Sequence, residues 1–320
     1  MLEFDENELA ILNISHYNQA SCGDINLRAA VGVNGGYCES IIIDGYNEAV
    51  NVLFRSTLYQ EGNDTIAADS AVYPIIFCAR HSIELCLKWL LRQICHIKII
   101  KENKNIYIKS KTTTSEDDRN AYLDQLENKW KGLEIDKKTK THNLKMLCDL
   151  ICEYYRVDTK IKKSFDIILP YLCDYFIDPS GDVFRYWNNT EGTPNLESKD
   201  IELISLDIFK IKYDILYKKF IELIYFVNSV KIALDRTNTF TKTLSRWQIE
   251  EIAKKLPPKS AWENDLPIIK QQIMDDYSLS SREFGETLNI IKSHREFCVY
   301  IGMEIQFKNF SDSSIENRCV

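Results

Sequence analysis

The chain has 320 residues, 45% hydrophobic and 27% charged, with 40 Lys+Arg against 47 Asp+Glu for a formal net charge of −7. This composition excludes a disordered chain, a collagen-like chain and a strongly basic nucleic-acid coat. Gly 11 and Pro 7 are too few for the many turns of a β-sandwich or barrel, so long helices are favoured.

At ~150 residues per domain, the length suggests roughly two domains. No segment approaches the ~18 consecutive apolar residues of a membrane-spanning helix. Met1-Leu2-Glu3-Phe4-Asp5-Glu6 is acidic and lacks the positive start and apolar core of a secretory leader. A cytoplasmic protein with no membrane partner is expected. The 10 cysteines include no C-x-x-C pair and sit mostly among apolar residues, as reduced core cysteines do. Cys148 and Cys152 are four apart, but no second close pair with His joins them, so no metal site is assigned.

Residues 1–41 read as an N-terminal arm, partly extended, with a turn at Asn34-Gly35-Gly36. From Ile41 to about Gln60 the apolar spacing is helical, and Gly62-Asn63-Asp64 stops it. Ala67–Ile100 is the strongest helix: Ile75, Ile76, Ala79, Ile83, Leu87, Leu90, Leu91 and Ile94 recur every three or four residues. Pro74 fits a first turn, which puts a start near Val72.

Residues 101–140, with a Thr112-Thr113-Thr114-Ser115 run and scattered Lys, read as an exposed insertion with room for a small hairpin. Over 97–165 there are 16 basic against 11 acidic side chains, either a solvated face or a phosphate-binding surface. Helices are expected over His142–Tyr155 and Lys160–Phe176, then a loop over 178–187. A long helix follows over 198–235, with Ile208, Ile211, Ile215, Leu216, Phe220, Leu223, Ile224 and Val227 as its stripe and Thr237-Asn238-Thr239 as its break.

Residues 239–320 read as a small C-terminal helical domain. Ser245 caps a helix that Pro257-Pro258 ends, Pro267 starts a second over Ile268–Met274, and Ser280 or Ser281 caps a third that includes Phe284 and Phe297. Leu279-Ser280-Ser281-Arg282-Glu283-Phe284 could open a helix-turn-helix. With nine basic and nine acidic residues over 240–300, a partner-docking or core-capping unit fits better than a DNA reader.

No phosphate-binding Gly loop, nucleophile elbow or H-E-x-x-H motif occurs, and the five histidines limit acid–base candidates. A polar stripe does stand out. Arg80, Glu84 and Lys88 are each four apart on one face, with His81 beside them, in a helix apolar almost all round. Charges there are either a paired structural network or a site. Thr141-His142-Asn143-Leu144 sits at a helix start, and Asp182-Val183-Phe184-Arg185-Tyr186-Trp187 places three aromatics around an arginine. Arg185 suits a bidentate contact to Glu84, and aromatics beside Arg suit base stacking.

Arg80-His81-Ser82-Ile83-Glu84-Leu85-Cys86-Leu87-Lys88, then Thr141-His142-Asn143-Leu144, then Phe184-Arg185-Tyr186 resembles the HEPN superfamily (higher eukaryotes and prokaryotes nucleotide-binding). The similar pattern there is E-x-x-L-K, a T/G-H-D-L helix start and an R-Y-P-like segment. Here Glu84 and Lys88 are four apart, Asn143 stands for the Asp and Trp187 for the Pro. The resemblance spans about residues 42–238 and implies an all-α bundle, often a homodimer, acting on or binding RNA or a nucleotide in prokaryotic antiviral defence or toxin–antitoxin modules, without a cofactor. Many members are metal-independent ribonucleases with an Arg-x(4–6)-His pair, which this sequence lacks after Arg185; others are non-catalytic interaction or scaffold subunits. The resemblance makes His142, Arg185, Arg80 and His81 the catalytic candidates, with Glu84, Lys88, Asp182 and Tyr186 for binding. A protein partner is assigned to the C-terminal domain.

Overall fold

The computed structural model describes residues 39–58, 66–189, 191–235 and 240–304, with Glu6 and Ala29 as isolated positions. The arm before Glu39, its Asn34-Gly35-Gly36 turn, the Gly62-Asn63-Asp64 stop, the Thr237-Asn238-Thr239 break and residues 305–320 lie outside them. Among the described residues the regular elements are all helical, and the isolated bridge is Asn188 with Pro194. No described helix is long and apolar enough to cross a membrane.

Helix α1 (Glu39–Leu58) and the 35-residue α2 (Ala68–Glu102) open the bundle. α2 packs against α1, α6 (Leu144–Tyr154) and α8 (Leu206–Asp235). Its central position explains its composition: Ile75, Ala79, Ile83, Leu87, Leu90, Leu91 and Ile94 are each 0% exposed. α2 starts well before Val72, so Pro74 lies inside it rather than in its first turn. The proline leaves the Ser70 carbonyl without its intrahelical donor, a small cost where that turn faces water.

The 101–140 segment is a set of helices rather than a hairpin: α3 (Lys104–Thr112), α4 (Glu116–Leu133) and α5 (Ile135–Lys138). Ser115 accepts from the Asp118 amide and three acids fill the first turn of α4, which fixes that helix's start; the Thr run is the link before it. α4 buries no residue outright, whereas Tyr107, Ser110 and Ile135 anchor its neighbours. The helix expected over 160–176 splits. α7 (Thr159–Ile168), capped by Asp158, passes at Pro170 into a 3₁₀ stretch over Leu169–Tyr175.

The last bundle helix differs most from its sequence pattern. It begins at Leu206, not 198, after a short 3₁₀ turn at Glu197–Lys199. Leu206, Tyr213, Leu216, Phe220, Leu223, Val227, Val230 and Leu234 are its buried stripe. Ile208, Ile211 and Ile215 are 56%, 62% and 60% exposed. The helix carries two apolar stripes on different faces, and spacing alone cannot tell which one meets the core.

Residues 240–304 hold α9 (Arg246–Lys255), α10 (Trp262–Asp276) and α11 (Ser281–Ser293) around their own core, which includes Ile249, Ile252, Phe284, Ile291 and Phe297. Capping boxes at Ser245/Gln248 and Ser280/Glu283 set two of the starts. Pro267 lies inside α10, and Phe297 lies beyond α11 rather than in it. Buried charges join this unit to the bundle. Arg246 pairs with Glu250 and Glu296, Arg295 Nη1 lies 2.6 Å from Asp158 Oδ2, and Lys101 Nζ reaches Glu296 at 3.4 Å.

Candidate functional site

Arg80, Glu84 and Lys88 follow one another up α2 and meet as an ion-paired chain. Arg80 Nη1 donates to Glu84 Oε2 at 3.1 Å, and Lys88 Nζ donates to Glu84 Oε1 at 2.8 Å. Arg80 and Glu84 are 5% and 1% exposed. A buried carboxylate needs such donors, since an uncompensated charge there costs several kcal/mol. Burial pushes the Glu84 carboxyl up, but the Lys88 hydrogen bond and charge, with His142, hold it below the usual glutamate range.

The start of α6 supplies the next layer. Asn143 Oδ1 accepts from the Met146 amide at 3.1 Å and is the N-cap; Thr141 Oγ1 accepts from the Asn143 amide at 3.1 Å. His142 is thereby held between them at the helix entry. Its Nδ1 lies 2.9 Å from Glu84 Oε1, while the side chain stays 63% exposed. A carboxylate on Nδ1 selects the Nδ1–H tautomer, with the lone pair then on Nε2.

The 178–187 loop closes the third side through Asp178, a residue with no place in the sequence-level site. Asp178 Oδ1 accepts from the amides of Gly181, Asp182 and Val183 at 2.8, 2.9 and 3.3 Å, which folds the loop on itself. Arg80 Nη2 donates to the carbonyls of His142 (2.7 Å) and Asp178 (2.9 Å), and Arg80 Nε lies 3.5 Å from Asp178 Oδ2. Gly181 has φ +84°, and a Cβ there would sit 2.9 Å from Arg80 Nη1, so glycine lets the loop lie on the guanidinium without strain. The Asp178-Pro179-Ser180-Gly181 turn chemistry is the signal that could have pointed to both residues.

These three elements enclose a cleft of about 580 Å3, lined by Arg80, His81, Glu84, His142, Asp182 and Arg185 together with Tyr46, Phe77 and Gly181. Tyr46 and Phe77 come from α1 and α2 and form an aromatic wall. The His81 ring lies edge-on to Tyr46 at 4.4 Å and parallel to Phe77 at 6.0 Å. Burial holds the His81 imidazole below its ordinary pKa; Glu84 opposes this, and Lys88, His142 and Arg80 add to it.

Two sequence-predicted residues border the cleft without lining it. Lys88 reaches it only through Glu84, and Tyr186 stands beside Arg185, 51% exposed. The expected Arg185–Glu84 contact is not formed. Glu84 already has three donors beneath the cleft, and the exposed Arg185 guanidinium instead lies over the rings of Tyr186 (5.0 Å) and Phe77 (5.9 Å). Among the described residues, no three His, Cys, Asp or Glu side chains gather as metal ligands. No protein-family model, no curated protein and no solved structure matches this chain.

Proposed function

We propose that the cleft takes a segment of single-stranded RNA or a nucleotide, and that the protein is a HEPN-like endoribonuclease of prokaryotic defence or toxin type whose own side chains carry the chemistry. The observation that carries this reading is the Glu84–His142 contact at 2.9 Å beneath a mostly exposed ring. In it, His142 Nε2 takes the proton from a ribose 2′-hydroxyl, the 2′-oxygen attacks the adjacent phosphorus, and the bond from phosphorus to the 5′-oxygen breaks, leaving a 2′,3′-cyclic phosphate and a 5′-hydroxyl protonated from the imidazolium or water. Arg185, on the same rim, meets the charge that develops on the phosphoryl oxygens. Tyr186 and Trp187, 51% and 73% exposed beside Arg185, offer faces for unstacked bases. Arg80 and His81 hold position: the first is committed to Glu84 and two carbonyls, the second to the aromatic wall. The resemblance makes a homodimer the expected state.

The test is incubation of the purified protein with tRNA and total RNA, beside His142→Ala and Arg185→Ala. Wild-type cleavage should fall roughly 10²–10⁴-fold in His142→Ala and about 10²–10³-fold in Arg185→Ala. Unchanged activity in both variants removes this site assignment.

A second reading, a non-catalytic interaction or scaffold subunit, is favoured by one observation: the bonded partners of Arg80 are all internal, so the polar stripe is also a staple. Under it, wild type neither binds nor cuts RNA, and the stripe matters only to the melting temperature.

A further inference from the structure

Two open charges lie close together on the cleft's loop and do not meet. Asp182 and Arg185 both line the cleft, three residues apart, and among the described residues neither side chain forms an ion pair. The other charges there are committed: Arg80 and Glu84 hold each other, and Glu84 also takes Lys88 and His142.

The backbone of Asp182 is pinned on both sides. Its amide donates to Asp178 Oδ1 at 2.9 Å, and its carbonyl accepts from the amides of Arg185 and Tyr186 at 3.1 and 3.0 Å and from Asn195 Nδ2 at 3.4 Å. The half-buried carboxylate takes part in none of this, and among the described residues no side chain or amide donates to it. Losing part of its hydration, it favours a ligand that brings donors. A phosphate oxygen cannot serve, because an ionised carboxylate only accepts.

For a nucleotide occupant, that requirement sorts the bases. On its Watson–Crick edge guanine presents N1–H and the N2 amino group side by side, two donors for two carboxylate oxygens. Adenine and cytosine each set one amino group beside an accepting ring nitrogen, and uracil sets one N–H between two carbonyls. Those three turn an acceptor lone pair toward the carboxylate.

We propose that the cleft reads guanine, with the base edge on Asp182, the ring along the Tyr46–Phe77 wall, and the 2′-hydroxyl and 3′-phosphate toward His142 and Arg185. The inference rests on the RNA reading above and adds the identity of the base.

The test is calorimetric titration of the full chain with the four nucleoside 3′-monophosphates and inosine 3′-monophosphate, together with mapping of any cuts in an oligoribonucleotide of mixed sequence. Expected is saturable binding of the guanosine form, with the adenosine, cytidine and uridine forms weaker by about tenfold or more. Inosine keeps N1–H but lacks the N2 amino group, so its affinity should fall between. Asp182→Asn, which keeps the size and the backbone but puts a donor where an acceptor stood, should bring guanosine down to the level of the other three at an unchanged melting temperature. Any cuts should lie 3′ of guanosines and lose that preference in the same variant. Equal binding of the four, cuts without base preference, or a guanosine preference that survives Asp182→Asn each overturn the proposal, and cutting would then leave the nuclease reading standing. Guanosine-selective binding that depends on Asp182, with no cut, upholds the proposal and removes the catalytic role of His142. Neither nucleotide binding nor cuts would overturn both.

Discussion

Arg80 and Arg246 are the two arginines buried in this molecule's described residues, and their surroundings differ in one respect. Each meets a glutamate one turn along its own helix and anionic or carbonyl oxygens from elsewhere in the chain. Arg246 is closed in. Its guanidinium lies 5.1 and 5.2 Å from the Trp247 and Phe297 rings, and the network ends in Asp158, Lys101 and Arg295 at the seam between bundle and C-terminal unit. Arg80 is equally buried, but one layer above it the chain opens: His142 is mostly exposed and Arg185 stands on the rim. A buried arginine by itself therefore marks a joint. What makes the Arg80 region a candidate site is the titratable group that its network holds at the edge of water.

Substitution can sharpen that contrast. The largest effect should come from Arg80→Met and Arg246→Met, each leaving carboxylates buried and under-compensated. Each should lose about 3–5 kcal/mol in chemical denaturation, and only Arg80→Met should also displace the His142 ring in NMR. Gly181→Ala should cost about 1–3 kcal/mol, because strained backbone and the contact on Arg80 add. The same change at Gly192, where φ is +83° but the space is open, should cost less by the same measurement.

Acid should weigh most on the closed network, whose His294 is shifted further than His81 in the cleft. Burial holds the His294 imidazole down to about 4, although Glu296 opposes it. Glu296, which burial would raise, is held to about 2 by Lys101, Arg246 and Arg295. Both groups bind fewer protons folded than unfolded, so both contribute stability that falls with pH. His294 loses its share from about 6.5 down to 4, and Glu296 from 4.5 down to 2. His294→Phe, which keeps the stack on Phe297, should flatten thermal stability over the upper of those windows. The smallest effect should be that of Arg185→Ala on folding, within about 0.5 kcal/mol as for an exposed side chain, whatever it does to RNA. A large loss of stability would mean that Arg185 belongs with the staples.

The helical class and the main helices were legible because their periodicity is strong, α2 above all. The candidate residues were legible as short motifs at helix spacing, and Arg80, His81, Glu84, His142, Asp182 and Arg185 come to one cleft. What spacing could not supply was direction. Ile208, Ile211 and Ile215 fit a core stripe as well as Tyr213, Leu216 and Phe220 do, and only the neighbouring chain decides between them. Arg185 and Glu84 are good partners on chemical grounds, yet Lys88, Arg80 and His142 reach the carboxylate first. Asp178 serves through backbone amides three to five residues on, a role that a search for paired side chains overlooks.

One continuous helix supplies both networks. α2 brings Arg80, Glu84 and Lys88 to the cleft and Lys101 to the C-terminal seam, with no break between them. At 3.6 residues per turn, deleting or inserting one residue between Lys88 and Lys101 would turn one end against the other by about 100°. Either the cleft or the seam would then face the wrong neighbours. The half-buried positions of this stretch, such as Arg92 and Gln93, should accept changes of letter but no change of length, so a library of single-residue deletions would mark the span between the two networks as a ruler.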